Sequence, residues 1–190
     1  DLGTALLVFA AGLYVIILAG LPWKWILPFI GLGVIGILLI VIFGSTICAQ
    51  DVVWPLVHNY QKHRVCTLLD PSSDPLGKGF HTIQSMIAIG SGGFFGKGWF
   101  QGTQAHLEFI PEKHTDFVFA VFSEEFGFIG NLILLALFFA LIKRGLAISA
   151  SAPNLFTRLL GASVTLIFFT YAFVNIGMVS GLLPVVGVPL

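Results

Sequence analysis

Four long apolar stretches are separated by two short polar connections and one long polar segment. Residues 2–21 are apolar apart from Thr4, Tyr14 and glycines. Residues 26–48, 117–142 and 159–181 follow the same pattern. Each stretch is close to the roughly 20 residues that cross a hydrocarbon core about 30 Å thick, so each predicts a membrane-spanning helix. The run Pro22-Trp-Lys-Trp25 combines a helix stop, a cation and two interfacial aromatic residues between the first two. Gly31, Gly33 and Gly36 would allow close helix contact on the second.

Residues 50–115 differ in kind. They hold most of the ionisable side chains and all 5 histidines. The turn-rich run Asp70-Pro-Ser-Ser-Asp-Pro-Leu-Gly77 lies in this segment. After it, Ile83, Met86 and Ile87 recur at helical spacing within residues 81–89. That helix is too short to span, so an interfacial or re-entrant helix is expected. The run Gly90-Ser-Gly-Gly-Phe-Phe-Gly-Lys-Gly98 must end it. A connection this long is usually functional.

Composition supports the membrane reading. The chain is 57 % hydrophobic and 9 % charged, with mean hydropathy +0.99. So few charges cannot cover a water-facing surface, where about 25 % is usual. The expected fold class is an all-α polytopic membrane protein. It would have four transmembrane helices and a long extracellular loop carrying short interfacial or re-entrant helices. A formal net charge of +0 argues against a nucleic-acid partner. Cys48 and Cys66 match no metal or redox spacing and are expected to pack as apolar side chains. The first residues carry no cationic n-region, and the chain is expected to be an internal piece of a larger protein. Lys24, Lys143, Arg144 and Arg158 fall in two short connections on one side of a four-span topology. The positive-inside rule makes that side cytoplasmic and turns the long loop outward.

The candidate chemistry collects where that loop meets the third span. Asp116 stands at the boundary, with Glu108, Glu112, Lys113 and His114 shortly before it. Its structural reading is helix capping by Thr115 or Asp116. Its functional reading is a general base at the membrane edge, and one residue can do both. Glu124 and Glu125 lie inside the third span, about 12 Å further along a helix. Charge at that depth needs a partner or a wet cavity. A structural or gating role is therefore expected for the pair. The glycine run lacks the P-loop spacing. It reads as a turn, or as a cradle whose N–H groups and Lys97 would receive a diphosphate. The histidines, at positions 58, 63, 81, 106 and 114, have no metal-ligand spacing. Asn175 is expected to hydrogen-bond a neighbouring helix.

Three motifs carry a resemblance. They are Leu69-Asp-Pro-Ser-Ser-Asp-Pro-Leu-Gly-Lys-Gly79, Gln84-Ser-Met-Ile-Ala-Ile-Gly-Ser-Gly-Gly93 and Pro111-Glu-Lys-His-Thr-Asp-Phe-Val-Phe-Ala120. Together they resemble the SEDS family of bacterial shape, elongation, division and sporulation proteins. The likeness runs from Asp1-Leu-Gly-Thr4 to Pro189. Gly102-Thr-Gln104 and residues 175–189 look more like its elongation branch than its division branch. The family has about ten spans, of which this chain resembles the sixth to the ninth.

The resemblance implies peptidoglycan glycosyl transfer at the outer face of the bacterial cytoplasmic (inner) membrane. Asp116 matches the family's essential acid, and Glu108 falls on a position linked to activity control. The implied reaction polymerises lipid II, with Asp116 as general base. Arg64, Lys97, Lys113 and His114 are candidates to meet the diphosphate by charge and loop position, with a divalent cation (magnesium or manganese) as the alternative. Implied partners are a class B penicillin-binding protein and other membrane proteins of the elongation complex. Two rival readings are a lipid II translocase and a non-catalytic scaffold for a penicillin-binding protein.

Overall fold

The computed structural model describes residues 2–48, 62, 65–67, 69, 78–103, 116–183 and 185; every regular element among them is helical. The elements are α1 (Leu2–Leu18), α2 (Trp23–Ile42), α3 (Gly44–Ile47), α4 (Lys78–Ser91), α5 (Val118–Ala150) and α6 (Leu155–Val179). By length and composition α2, α5 and α6 can cross a membrane, and α1 adds a shorter apolar helix. The chain is an all-α, multi-pass membrane protein.

The helix ends differ from the apolar stretches for identifiable reasons. α2 begins at Trp23 because Pro22, with φ −65° and ψ 135°, serves as its extended N-cap residue. It stops at Ile42, and the short α3 follows. α5 runs past Lys143 and Arg144 to Ala150. Those cations mark the edge of the hydrocarbon, but both are good helix formers and do not end the helix. α6 starts at Leu155, directly after Pro153 and Asn154, and takes Arg158 into its first turns.

Small residues set the packing. α1 lies along α6, where the Tyr14 hydroxyl meets Thr170 Oγ1. α5 and α6 approach closely where Gly145 faces Thr165 and Gly161 faces Ser149. α4 packs on both α5 and α6. Its buried face is Thr82, Ser85 and Ala88, and the adjoining Gly92 is also buried. Met86 and Ile87 are exposed. The apolar pattern in the sequence thus locates the outward face of this helix, while the small-residue face lets it sit close to its neighbours. Ser85 Oγ donates to the Val179 carbonyl at 2.8 Å and ties α4 to the end of α6. Ala88, Phe117, Phe119, Ala120, Met178 and Val179 form the core where α4, α5 and α6 meet.

The expectation of free, packing cysteines is overturned. Cys48 and Cys66 form a disulfide with a Cα–Cα distance of 5.7 Å. Pairing depends on how the chain returns past the end of α3, and the sequence separation of 18 carries no signature of that.

Candidate active site

Asp116 sits immediately before the start of α5, at the core just described. Phe117 is 1 % exposed and anchors the chain there, with its ring 6.3 Å from that of His81 on α4. From α6, Asn175 Nδ2 donates to the Asp116 backbone carbonyl at 2.8 Å. The expected helix-to-helix bond of Asn175 is therefore made to the main chain of the candidate base. The N-cap position of α5 is Phe117, which makes no side-chain cap bond. Asp116 itself is partly exposed. Its backbone is thus fixed from two sides while its residue keeps a face outward.

Further along, α5 is broken. Gly127 has φ 65° and ψ −162°, a conformation that only glycine adopts without strain. In an unbroken helix the Phe128 and Ile129 N–H groups would donate to the carbonyls of Glu124 and Glu125. Here they donate to Gly93 O at 2.9 Å and Phe94 O at 3.2 Å. The two vacated carbonyls accept from Lys97 N and Gly98 N, both at 3.0 Å. The glycine run therefore inserts into the break and satisfies two donors and two acceptors, as membrane burial demands. A Cβ on Gly96 would strike the Glu125 carbonyl, which explains the glycine there.

This arrangement changes the reading of the glycine run. The Gly96, Lys97 and Gly98 N–H groups are bound to Gly92 O, Glu124 O and Glu125 O. Those of Lys97 and Gly98 serve α5, that of Gly96 closes a turn within the run, and the three are not a free cradle for a diphosphate.

The side chains at the break form a compact polar centre. Glu124 is 0 % exposed. Its Oε1 accepts from Lys97 Nζ at 2.7 Å, Thr103 N at 2.9 Å, Thr103 Oγ1 at 2.9 Å and Ser91 Oγ at 3.4 Å. Lys97 Nζ also donates to Thr103 Oγ1 at 2.8 Å. The structure thus brings Lys97 to Glu124. Arg64, Glu108, Lys113 and His114 lie outside the described residues. Among the described residues no three His, Cys, Asp or Glu side chains group as metal ligands.

Neither the helix break nor the ring of donors around Glu124 was recognisable as such from spacing. One signal was available: an acidic pair and a glycine within an apolar span, preceded by a glycine-rich loop containing a cation.

Comparison with known proteins supplies the context. A family profile for cell cycle proteins of the FtsW, RodA and SpoVE type matches residues 1–190. The peptidoglycan glycosyltransferase MrdB of Escherichia coli K12 is 54 % identical over the whole chain and 48 % of its own length. The peptidoglycan glycosyltransferase RodA of Treponema pallidum is 40 % identical over 78 % of this chain and 33 % of its own. Stage V sporulation protein E of Bacillus subtilis is 38 % identical over the whole chain and 48 % of its own. A solved chain from work on structural coordination of polymerization and crosslinking by a peptidoglycan synthase complex superposes with TM-score 0.69 at 36 % identity. That likeness covers 100 % of this chain and 48 % of the solved one. The chain spans about half the length of the curated relatives that it matches end to end.

Proposed function

Because the chain belongs to the FtsW, RodA and SpoVE family of cell cycle proteins, we propose that it is the part of a peptidoglycan glycosyltransferase that holds the general base, Asp116. The observation that carries this reading is the placement of Asp116. It is a partly exposed carboxylate residue at the head of a membrane-length helix, with its backbone clamped by Asn175. A lipid-linked sugar presents its polar head at that level.

The substrate is lipid II. Asp116 takes the proton from the 4-hydroxyl of the acceptor GlcNAc. The freed oxygen attacks C1 of the donor MurNAc, and the C1–O bond to phosphate breaks. Undecaprenyl diphosphate leaves with the bonding electrons, and C1 inverts. The transition state has oxocarbenium character, as in glycosidases. A general base contributes roughly 10²–10⁴-fold, and positioning and charge complementarity supply the rest.

The diphosphate needs positive charge. Lys97 already balances Glu124, so Arg64, Lys113 and His114 remain as the loop's candidates. A magnesium or manganese ion would take largely diphosphate oxygens as ligands, because such hard cations bind through one or two carboxylates plus phosphates. When bound it would neutralise charge on the leaving group.

The loop faces outward from the bacterial cytoplasmic membrane. Lys24, Lys143, Arg144 and Arg158 favour the cytoplasm for the opposite connections. The disulfide on the loop side supports an oxidising compartment there. A site-specific label at His106 should react in intact cells, and reaction only after permeabilisation would reverse the topology. The external partner in this reading is a class B penicillin-binding protein, supported by the likeness to a chain of a peptidoglycan synthase complex.

The deciding experiment is Asp116→Asn in a full-length protein carrying this chain, assayed on purified lipid II in detergent. Asn keeps the size and polarity but cannot take the proton. Glycan polymer should fall by about 10²-fold or more while thermal stability is retained. Normal polymer yield from a well-folded Asp116→Asn protein would sink the assignment. Translocation of lipid II with no polymer from the parent protein would favour a translocase instead.

A further inference from the structure

We propose that the Lys97–Glu124 ion pair is a latch that holds in register the first segment of α5, which follows Asp116, and that both side chains are therefore positioning residues for glycosyl transfer. The inference rests on the assignment of Asp116 as the base.

The break at Gly127 divides α5. It leaves residues 118–126 as a short helical segment between Asp116 and a point where the helix's own hydrogen bonds are interrupted. A segment of that length has little stability of its own, so its position depends on the packing of Phe119 and Ala120 in the core and on what grips its two ends. At the head, Phe117 is buried and Asn175 holds the Asp116 carbonyl. At the tail, the glycine run replaces the missing helix bonds, and Glu124 holds that run in place. The Glu124 carboxylate reaches Ser91 at its start, Lys97 within it and Thr103 beyond it. Thr103 is also the residue from which the chain enters residues 104–115, and Asp116 is where it leaves them. One carboxylate therefore holds both the tail of the segment and Thr103.

Charge logic separates this role from substrate binding. The Glu124 carboxylate is buried, whereas the Lys97 side chain is 28 % exposed. Removing Lys97 takes from the buried carboxylate the cation at 2.7 Å, which is more disruptive than removing both members of the pair. A cation that served the diphosphate would show no such recovery.

The test uses a full-length protein carrying this chain and compares Lys97→Met, Glu124→Gln and the double variant. For each, kcat per folded molecule, KM for lipid II, and amide exchange at Lys97, Gly98, Phe128 and Ile129 are measured. Lys97→Met should lower kcat by about a hundredfold, as an ångström-scale misplacement does, with KM unchanged and faster exchange at all four amides. Adding Glu124→Gln should relieve the unpaired buried charge and return kcat to about a tenth of parental, with the four amides still exchanging faster than in the parent because the latch is gone. A double variant as impaired as Lys97→Met, with the loss in KM, would overturn the latch and make Lys97 a substrate cation. Reduced thermal stability with unaltered kcat per folded molecule would overturn it as well. If Lys97→Met fails to fold, the double variant decides alone: about a tenfold loss of kcat with unchanged KM and faster exchange at the four amides supports the latch, and parental kcat and exchange overturn it. Exchange measured in an Asp116→Asn background separates the two readings. Retained turnover there refutes the base, and unchanged exchange on breaking the pair refutes the latch.

Discussion

At the scale of single residues, Asp116 and Asn175 illustrate how a buried amide can serve a site without touching substrate. Asn175 is fully buried on α6, and its Nδ2 grips the main chain of Asp116. Loss of that bond would leave the Asp116 carbonyl to find another donor where α4, α5 and α6 meet. Asn175→Leu should therefore cost about 1–3 kcal/mol of stability. It should also lower turnover by up to about a hundredfold through displacement of the base. Chemical denaturation in detergent, paired with single-turnover glycan synthesis, measures both. A stable variant with parental turnover would show that Asp116 is held without the Asn175 bond. The sequence could point to Asn175 as a polar group needing a partner, because an amide in an apolar span is conspicuous. It could not supply the partner, because a backbone carbonyl 59 positions away leaves no mark in composition.

At the scale of elements, the interrupted helix is what the apolar pattern concealed. Residues 117–142 read as one continuous span because hydrophobicity is unaffected by a change in backbone direction. The membrane-length helices and the short α4 were legible because periodicity and length report burial in lipid directly. The break was not, since glycine is common in membrane helices and only a tertiary partner makes one of them a hinge. The disulfide was hidden for the same reason: Cys48 and Cys66 meet through the path of the chain. The closeness of Gly127 to Gly96 N gives a specific expectation. Gly127→Ala should cost about 1–3 kcal/mol from backbone strain alone, with further loss from its clash with the loop. The expected signature is a lower melting temperature together with lost amide protection at Phe128 and Ile129. Unchanged protection at both amides would mean that the loop tolerates a side chain at the break.

At the scale of the whole molecule, the polar groups inside the bundle largely find partners within this chain. Glu124 is paired with Lys97 and Thr103, and Asn175 with the Asp116 main chain. A larger requirement is apolar. Only 6 % of the candidate span in α2, and 6 % of that in α5, is buried inside the chain. Between α5 and α6 a cavity of about 350 Å³ is lined by residues including Phe138, Phe139, Phe169 and Phe173, with almost no polar surface. Lipid can cover such faces, but lipid alone does not fix the relative positions of helices. The chain also spans about half the length of the curated relatives that it matches end to end. On the glycosyltransferase reading, the other half supplies both helix contacts and part of the substrate path. The chain expressed alone should therefore insert into membranes, disperse poorly in detergent and make no glycan. Coexpression with the remaining half as a separate polypeptide should restore a single species on size exclusion and polymerisation of lipid II. A class B penicillin-binding protein added to that assembly should then raise the polymerisation rate. A chain that is monodisperse and active alone would contradict the dependence on a second half, because Asp116 and its clamp would then suffice. An unchanged rate with the transpeptidase bound would remove the coupling and leave the base assignment intact.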